Sequence, residues 1–204
     1  MLGSQRMLWS VVAMVVLSSS PAVASEWEVD SSHSSVEFSI RHLVSNVRGR
    51  FDKVEGTLSR DDADPTQSKM TLTIDVASID TGVPDRDKHL KSPDFFDAAK
   101  FPTMTFRSTK IGKSTGKDAY EVTGDLTLHG VTKPVTLQVQ DLGSVKGPKG
   151  MVRGLEATGT LNRKDWGITW NNALDSGGTI LGDEVKVLIN LELKEKAQAA
   201  APKK

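Results

Sequence analysis

The sequence predicts an all-β domain of about eight antiparallel strands, closed as a barrel or stacked as a sandwich. Three observations predict it. Apolar and polar residues alternate with the two-residue period of a strand that buries one face. The alternating runs are short and are separated by Gly, Asn, Asp or Pro turn signals. Nearly every run also keeps a wet face, as antiparallel strands do, and many such strands in a chain of 204 residues point to a barrel or sandwich.

The chain opens with Arg6, a short apolar run Met7–Leu17 and the small-x-small sequence Ala22-Val23-Ala24. This pattern predicts a secretory leader cleaved after Ala24. The alternative, an uncleaved anchor, is disfavoured because a membrane span needs about 20 apolar residues. A lipidated-cysteine anchor is excluded, since the chain has no cysteine, and thiol catalysis and thiolate metal sites are excluded with it. The basic and acidic residues number 26 each. Only Arg6 falls in the leader, so the mature chain is nearly neutral and gives no global reason to expect nucleic acid or an anionic membrane. The expected division is leader 1–24, one β-domain 25–196 and a disordered tail 197–204 of Ala, Gln, Pro and Lys, which has nothing to bury.

Strand signals follow in order. Glu26–Val29 is short. In Ser35–Arg41, Val36, Phe38 and Ile40 share the inward face. Arg50–Ser59 reads as a further strand, and in Met70–Ala77 the inward set is Met70, Leu72, Ile74 and Val76. Met104 and Phe106 alternate with Thr103, Thr105 and Arg107. Tyr120, Val122, Leu126 and Leu128 lead to a tight turn at His129-Gly130, beyond which Val135, Leu137 and Val139 point inward. Gly143–Gly150 reads as a loop. Leu155, Ala157 and Leu161 continue the pattern, and Val185, Val187, Ile189, Leu191 and Leu193 form the last inward row.

Residues 78–106 break the alternation. They hold three prolines (Pro84, Pro93 and Pro102) and the rings of Phe95, Phe96 and Phe101. Asp85 is expected to cap a short helix through Leu90. Ser92-Pro93 is expected to start a second one, with a capping hydroxyl and proline in the first turn, ending near Lys100 ahead of Phe101-Pro102. Helices this short need tertiary packing, so Leu90 and the three rings should pack on the β-structure. A long non-strand insertion of this kind is often a lid or binding loop.

The inward faces decide between a filled and a hollow interior. Gly56, Gly124, Ala157 and Gly159 fall on inward slots and favour room for a ligand; barrel glycines also serve as bends and bulges. Eight strands lie near the size at which a barrel either fills or holds one small ligand. A cavity lined by Val, Ile, Leu, Met and Phe would select an apolar ligand, at roughly 0.8 kcal/mol per buried methylene.

Catalytic and metal signals are weak. His33, His42, His89 and His129 share no i, i+4 spacing, and turn capping or ordinary hydrogen bonding is the simpler account of each. Asp85-Arg86-Asp87-Lys88 reads as a solvated, ion-paired helix face rather than an acid–base site. A Ser–His nucleophile also needs an orienting group and an oxyanion hole, and Ser31, Ser32 and His33 sit in no strand–elbow–helix motif of the G-x-S-x-G kind. Arg163-Lys164-Asp165-Trp166-Gly167 reads as a structural turn whose ring closes one end of the domain.

Several motifs, in order, resemble one known family. They are Asp30-Ser31-Ser32-His33-Ser34, Phe38-Ser39-Ile40-Arg41-His42-Leu43, Ser78-Ile79-Asp80-Thr81-Gly82, Arg86-Asp87-Lys88-His89-Leu90, Phe95-Phe96-Asp97, Gly124-Asp125-Leu126-Thr127-Leu128-His129-Gly130 and Asn162-Arg163-Lys164-Asp165-Trp166-Gly167. Over residues 27–195 the chain resembles the YceI-like family of exported, lipocalin-shaped, polyisoprenoid-binding proteins, which more usually carry Phe where Trp166 stands. The resemblance implies a lipocalin-like antiparallel β-barrel with a helical cap at about 85–100 and a long apolar pocket. It also implies periplasmic residence, a homodimer and a link to envelope stress.

The expected function is therefore non-enzymatic binding, transport or storage of a polyisoprenoid or similar lipid in the periplasm. Phe38, Ile40, Leu72, Ile74, Phe106, Leu126, Leu137 and Trp170 are the pocket candidates, with Phe95 and Phe96 at the mouth. No catalytic residue, metal or cofactor is expected beyond a bound isoprenoid or quinone-like ligand. Nor is nucleic acid or lasting membrane insertion expected. Two alternatives stand beside this reading: a protein-interaction module with a filled barrel, and an enzyme acting on a bound lipid through His42 or His89.

Overall fold

The computed structural model describes residues 24–174 and 177–197. Residues 1–23 of the expected leader and residues 198–204 of the expected tail lie outside the described residues.

Among the described residues eleven strands run in chain order: β1 Ser25–Val29, β2 Ser35–His42, β3 Ser45–Phe51, β4 Val54–Arg60, β5 Lys69–Asp75, β6 Ile79–Asp80, β7 Thr103–Lys113, β8 Ala119–Leu128, β9 Val131–Gly147, β10 Gly150–Asn162 and β11 Leu181–Glu195. The ring β1-β4-β5-β7-β8-β9-β10-β11 closes because β1 also pairs with β11. All pairings are antiparallel, and eight strands form the barrel. Closure removes free sheet edges.

The long β11 does two jobs. Its C-terminal end pairs with β1 through Val29↔Leu193, and the rest pairs with β2 through Ile189↔Val36 and Val185↔Ile40. β1 and β2 thus behave as one strand broken at a turn. β2 then extends one end of the barrel through β3 and the two-residue β6. The break is held by Asp30, which accepts from the Ser32 N–H and from His33 Nδ1 at 2.8 Å and pairs with Lys194. The Lys194 ammonium, Ser32 and His33 hold the Asp30 carboxyl well below its ordinary value. Asp30→Asn should cost roughly 2 kcal/mol at neutral pH, the scale of buried hydrogen bonds to a charged group. Because the folded pKa is depressed, that contribution is complete above the ordinary value of 3.8, shrinks as pH falls below it, and is gone only once pH has passed the depressed folded value. In denaturant melts the gap between the two proteins should narrow steadily as pH is lowered below about 4; a gap as wide at about pH 2 as at neutral pH would contradict this linkage.

The strand ends differ from the sequence expectation in three places. Arg50–Ser59 is not one strand but the end of β3 and most of β4, split at Asp52-Lys53. The expected loop 143–150 is a hairpin: β9 runs to Gly147 and β10 starts at Gly150. Alternation in β7 stops at Arg107 because the register shifts between Ser108 and Lys110, a β-bulge that carries Ile111 back to the inward side. The His129-Gly130 turn is as expected, with φ of 51° and 75°, the primed geometry that suits a two-residue hairpin.

The cap is simpler than expected. One helix, α1, spans Pro84–Leu90 with Val83 rather than Asp85 at its N-cap and Pro84 in its first turn. Residues 91–100 form consecutive turns, not a second helix. Their backbone bonds include Phe96 N–H to Leu90 O (3.0 Å) and Phe101 N–H to Asp97 O (2.8 Å).

Candidate functional site: an apolar barrel cavity under a short cap

Inside the barrel, toward the β2–β3 end, lies a cavity of about 300 Å³. A smaller one of about 80 Å³ lies toward the opposite end. The larger is within the range of small-molecule sites, which are mostly apolar with a few polar groups.

All ten sequence candidates line the larger cavity. Phe38 and Ile40 come from β2, Leu72 and Ile74 from β5, Phe106 from β7, Leu126 from β8 and Leu137 from β9. Trp170 follows the turn after β10, and Phe95 and Phe96 come from the cap. The two cap rings are held by aromatic contacts. Phe96 stands edge-on to Phe51 at 5.6 Å. Phe95 lies 5.1 Å from Trp170 and 5.0 Å from His89. Phe101 does not join them; it packs on the His129-Gly130 turn, 5.0 Å from the His129 ring.

The inward glycines do not leave open slots. A Cβ on Gly49 would stand 2.5 Å from Phe38 Cζ, one on Gly56 2.7 Å from Leu72 Cδ2, and one on Gly159 2.7 Å from Leu137 Cδ2; Gly124 is covered by the Phe106 ring. Each glycine receives a side chain from the neighbouring strand, which lies back along the wall instead of crossing the lumen. The space arises from that second step.

Sequence reasoning missed Glu37, Arg86 and Arg163 as polar groups of the lining, and named His42 and His89 only as catalytic alternatives. Arg86 and Asp87 do not face solvent as a charged stripe. Arg86 donates through Nε to Thr81 Oγ1 (2.7 Å) and through Nη2 to Thr81 O (2.8 Å), while Asp87 accepts from Thr81 N–H (2.9 Å). This clasp fixes α1 to the end of β6. Arg163 is 4% exposed and opens a 3-10 turn with Trp166, whose left-handed C-cap is Gly167. Its guanidinium donates to Gly182 O (3.0 Å), Ile168 O (2.8 Å), Trp170 O (2.8 Å) and Asp183 (3.2 Å). Burial lowers its pKa and Asp183 opposes that shift. Trp166 is a buried part of the wall, and its indole N–H donates to Leu126 O at 3.2 Å.

His89 Nε2 pairs with Asp94 at 3.0 Å. Among the described residues no hydroxyl hydrogen-bonds its other ring nitrogen. Asp30, His33 and Glu192 present ligand atoms within 4.8 Å of one another, but Lys194 Nζ already stands 2.5 Å from Asp30 and supplies the positive charge there. At the smaller cavity's end, Arg60 and Arg153 both pair with the buried Asp141 (3.1 and 2.6 Å). Arg153 also lies over the Trp27 ring at 5.1 Å.

A closed eight-stranded antiparallel barrel with one short helix and an apolar interior defines a lipocalin-like protein. The YceI-like domain family matches residues 27–193, and the chain belongs to that family. It is 43% identical over 171 residues to a UPF0312 protein of Ectopseudomonas mendocina (80% of this chain, 89% of the relative). It is 38% identical over 192 residues to Protein YceI of Salmonella arizonae (92% and 96%). Among solved structures, Burkholderia cenocepacia BcnA superposes with a TM-score of 0.71 at 27% identity, covering 80% of this chain and 98% of that one. The Campylobacter jejuni YceI protein gives 0.65 at 33%, covering 78% and 91%. A polyisoprenoid binding domain from Saccharophagus degradans shares the fold, with a TM-score of 0.61 at 20% identity over 83% of this chain and 98% of that domain. No helix among the described residues is long and apolar enough to cross a membrane.

Proposed function

We propose that the protein binds a long apolar lipid, an isoprenoid chain above all, and carries or stores it in the periplasm. The observation that carries this reading is the cavity of about 300 Å³, walled by aliphatic and aromatic side chains from β2, β5, β7, β8, β9 and β11. At roughly 30 Å³ per water-sized group, it has room for about ten carbons. Burying two isoprene units would contribute several kcal/mol before binding costs are subtracted. The ten candidate residues serve as the chain's wall, and Phe95 and Phe96 cover its entrance. Membership of the YceI-like family and the fold shared with a polyisoprenoid binding domain agree with this reading. The Arg6–Ala24 leader supports export, and with it a periplasmic site of action. On this reading the protein is a carrier, and His89, paired with Asp94 and edge-on to Phe95 and Trp170, serves to hold the cap together.

The test is native mass spectrometry of protein purified from the periplasm, with organic extraction of the same sample. Adducts that match an extracted isoprenoid are expected. Apoprotein alone, with no lipid in the extract, would overturn the proposal.

A further inference from the structure

The two cavities share four side chains. Leu72, Phe106, Leu137 and Ile189 line both the larger and the smaller one. They lie on β5, β7, β9 and β11 at one level of the barrel. On β5 the next inward residues divide cleanly: Ile74 lines only the larger cavity and Met70 only the smaller. On β9, Val135 and Val139 divide in the same way. The four shared side chains therefore form a partition between two chambers.

Three of the four rest on a glycine of the adjoining strand. Leu72 covers Gly56 of β4, Phe106 covers Gly124 of β8 and Leu137 covers Gly159 of β10. A glycine inside a strand weakens it and marks a place where another group approaches closely. Three at one level of one barrel give the partition notches into which its side chains fold back. Leu72 and Leu137 can change their projection into the lumen by moving between staggered rotamers; a Cβ in the notch would remove the folded-back position.

We propose that this level is a throat that sets the length of chain the protein accepts. The inference rests on the lipid-binding reading above. The first part of the chain occupies the larger chamber, and a longer tail passes between the four side chains into the smaller one. There the Arg60–Asp141–Arg153 ion pairs close the far end. On the same scale of roughly 30 Å³ per group, the smaller chamber adds room for two or three carbons. Geraniol, with two isoprene units, is matched by the larger chamber alone, whereas farnesol, with three, has to thread its tail into the smaller one and leaves its last few carbons and hydroxyl at the cap. Each buried methylene is worth about four-fold in affinity, so occupying the smaller chamber is worth on the order of ten-fold or more.

Gly159→Ala is the variant of choice. Its Cβ would press on the free end of Leu137, at 2.7 Å from Cδ2, with the next atom, Val187 Cγ2, at 3.5 Å. The strand can absorb this while Leu137 is driven into the throat. Delipidated protein would be titrated calorimetrically with geraniol and with farnesol. The expected result is unchanged geraniol affinity and loss of farnesol's advantage by about ten-fold. Leu137→Ala acts in the opposite sense and should raise farnesol affinity relative to geraniol. Tyr120, the chain's one tyrosine, lines the smaller chamber. Nuclear Overhauser contacts from farnesol's terminal methyls to its ring are therefore expected in the wild type and not in Gly159→Ala. An unchanged affinity ratio in both variants, or tail methyls that never reach Tyr120, would overturn the throat and leave lipid binding intact. Wild-type protein that binds neither alcohol would overturn the lipid-binding reading itself, and the throat with it.

Discussion

Arg163→Met should cost about 3–5 kcal/mol of folding stability, the scale of breaking a buried, charge-assisted network. Methionine keeps length and apolar volume but removes every donor. The carbonyls of Gly182, Ile168 and Trp170 would lose their partner together, and Asp183 would keep only Lys164, at 2.8 Å. Lys164 is the main cause of the lowered Asp183 pKa, with Arg163 contributing less, so the carboxylate itself should stay ionised. The carbonyls then carry the loss. Arg163→Lys should recover only a fraction, because one ammonium cannot span three carbonyls as a planar guanidinium does. The consequences reach the cavity, since Trp170 is held by its carbonyl on one side and packs its ring against Phe95 and His89 on the other. Chemical denaturation is the measurement. A loss under about 1 kcal/mol would show that water replaces the guanidinium at these carbonyls.

Why Arg163 escaped the sequence analysis follows from how sequence carries information. Strand period fixes the face of a residue relative to its neighbours, and it placed Phe38, Ile40, Leu72, Ile74, Phe106, Leu126 and Leu137 inward. All of them line the cavity. Period says nothing about a buried arginine in a turn, whose partners are backbone carbonyls several residues away. Asp141 and Arg153 are a different case. They continue the inward rows of Val135-Leu137-Val139 and Leu155-Ala157, so their parity was legible. Reading 143–150 as a loop hid the hairpin across which they pair at 2.6 Å. The glycines were legible as small inward positions, but what fills them comes from an adjoining strand, and register is a property of the pairing. The bulge at Ser108–Lys110 similarly reverses parity at a point that no composition signal marks. In the cap, turn residues placed the helix start to within two residues. The Ser92-Pro93 signal instead opened a series of turns, because residues 91–100 are held by bonds such as Asp97 N–H to Ser92 O at 2.9 Å.

Phe95→Ala and Phe96→Ala should separate packing from gating in the cap. Phe95 is 7% exposed and is wedged between His89 and Trp170. Its truncation removes a buried ring and should cost about 3–5 kcal/mol. Phe96 is only half-buried, packs against the edge of the core and makes one edge-on ring contact, with Phe51. Its truncation should cost about 1–2 kcal/mol, the lower end of the range for burying such a ring. Exchange of bound lipid should respond in the opposite order. The Thr81 clasp with Arg86 and Asp87 keeps the start of α1 fixed to β6, so freedom to move is confined to the far end of the helix and the turns after it. There Phe95 is anchored in the core against Trp170, and the ring of Phe96 against Phe51 is the more exposed contact that opposes opening. Removing it should raise the lipid off-rate about ten-fold, since differences among related complexes fall mostly on dissociation. Stopped-flow transfer of a fluorescent isoprenoid to acceptor vesicles measures this rate, with thermal melts run beside it. If Phe96→Ala destabilises as much as Phe95→Ala and leaves transfer unchanged, the cap is part of a sealed core and lipid must enter elsewhere. If transfer quickens while the fold holds, the aromatic contact between cap and barrel is the gate.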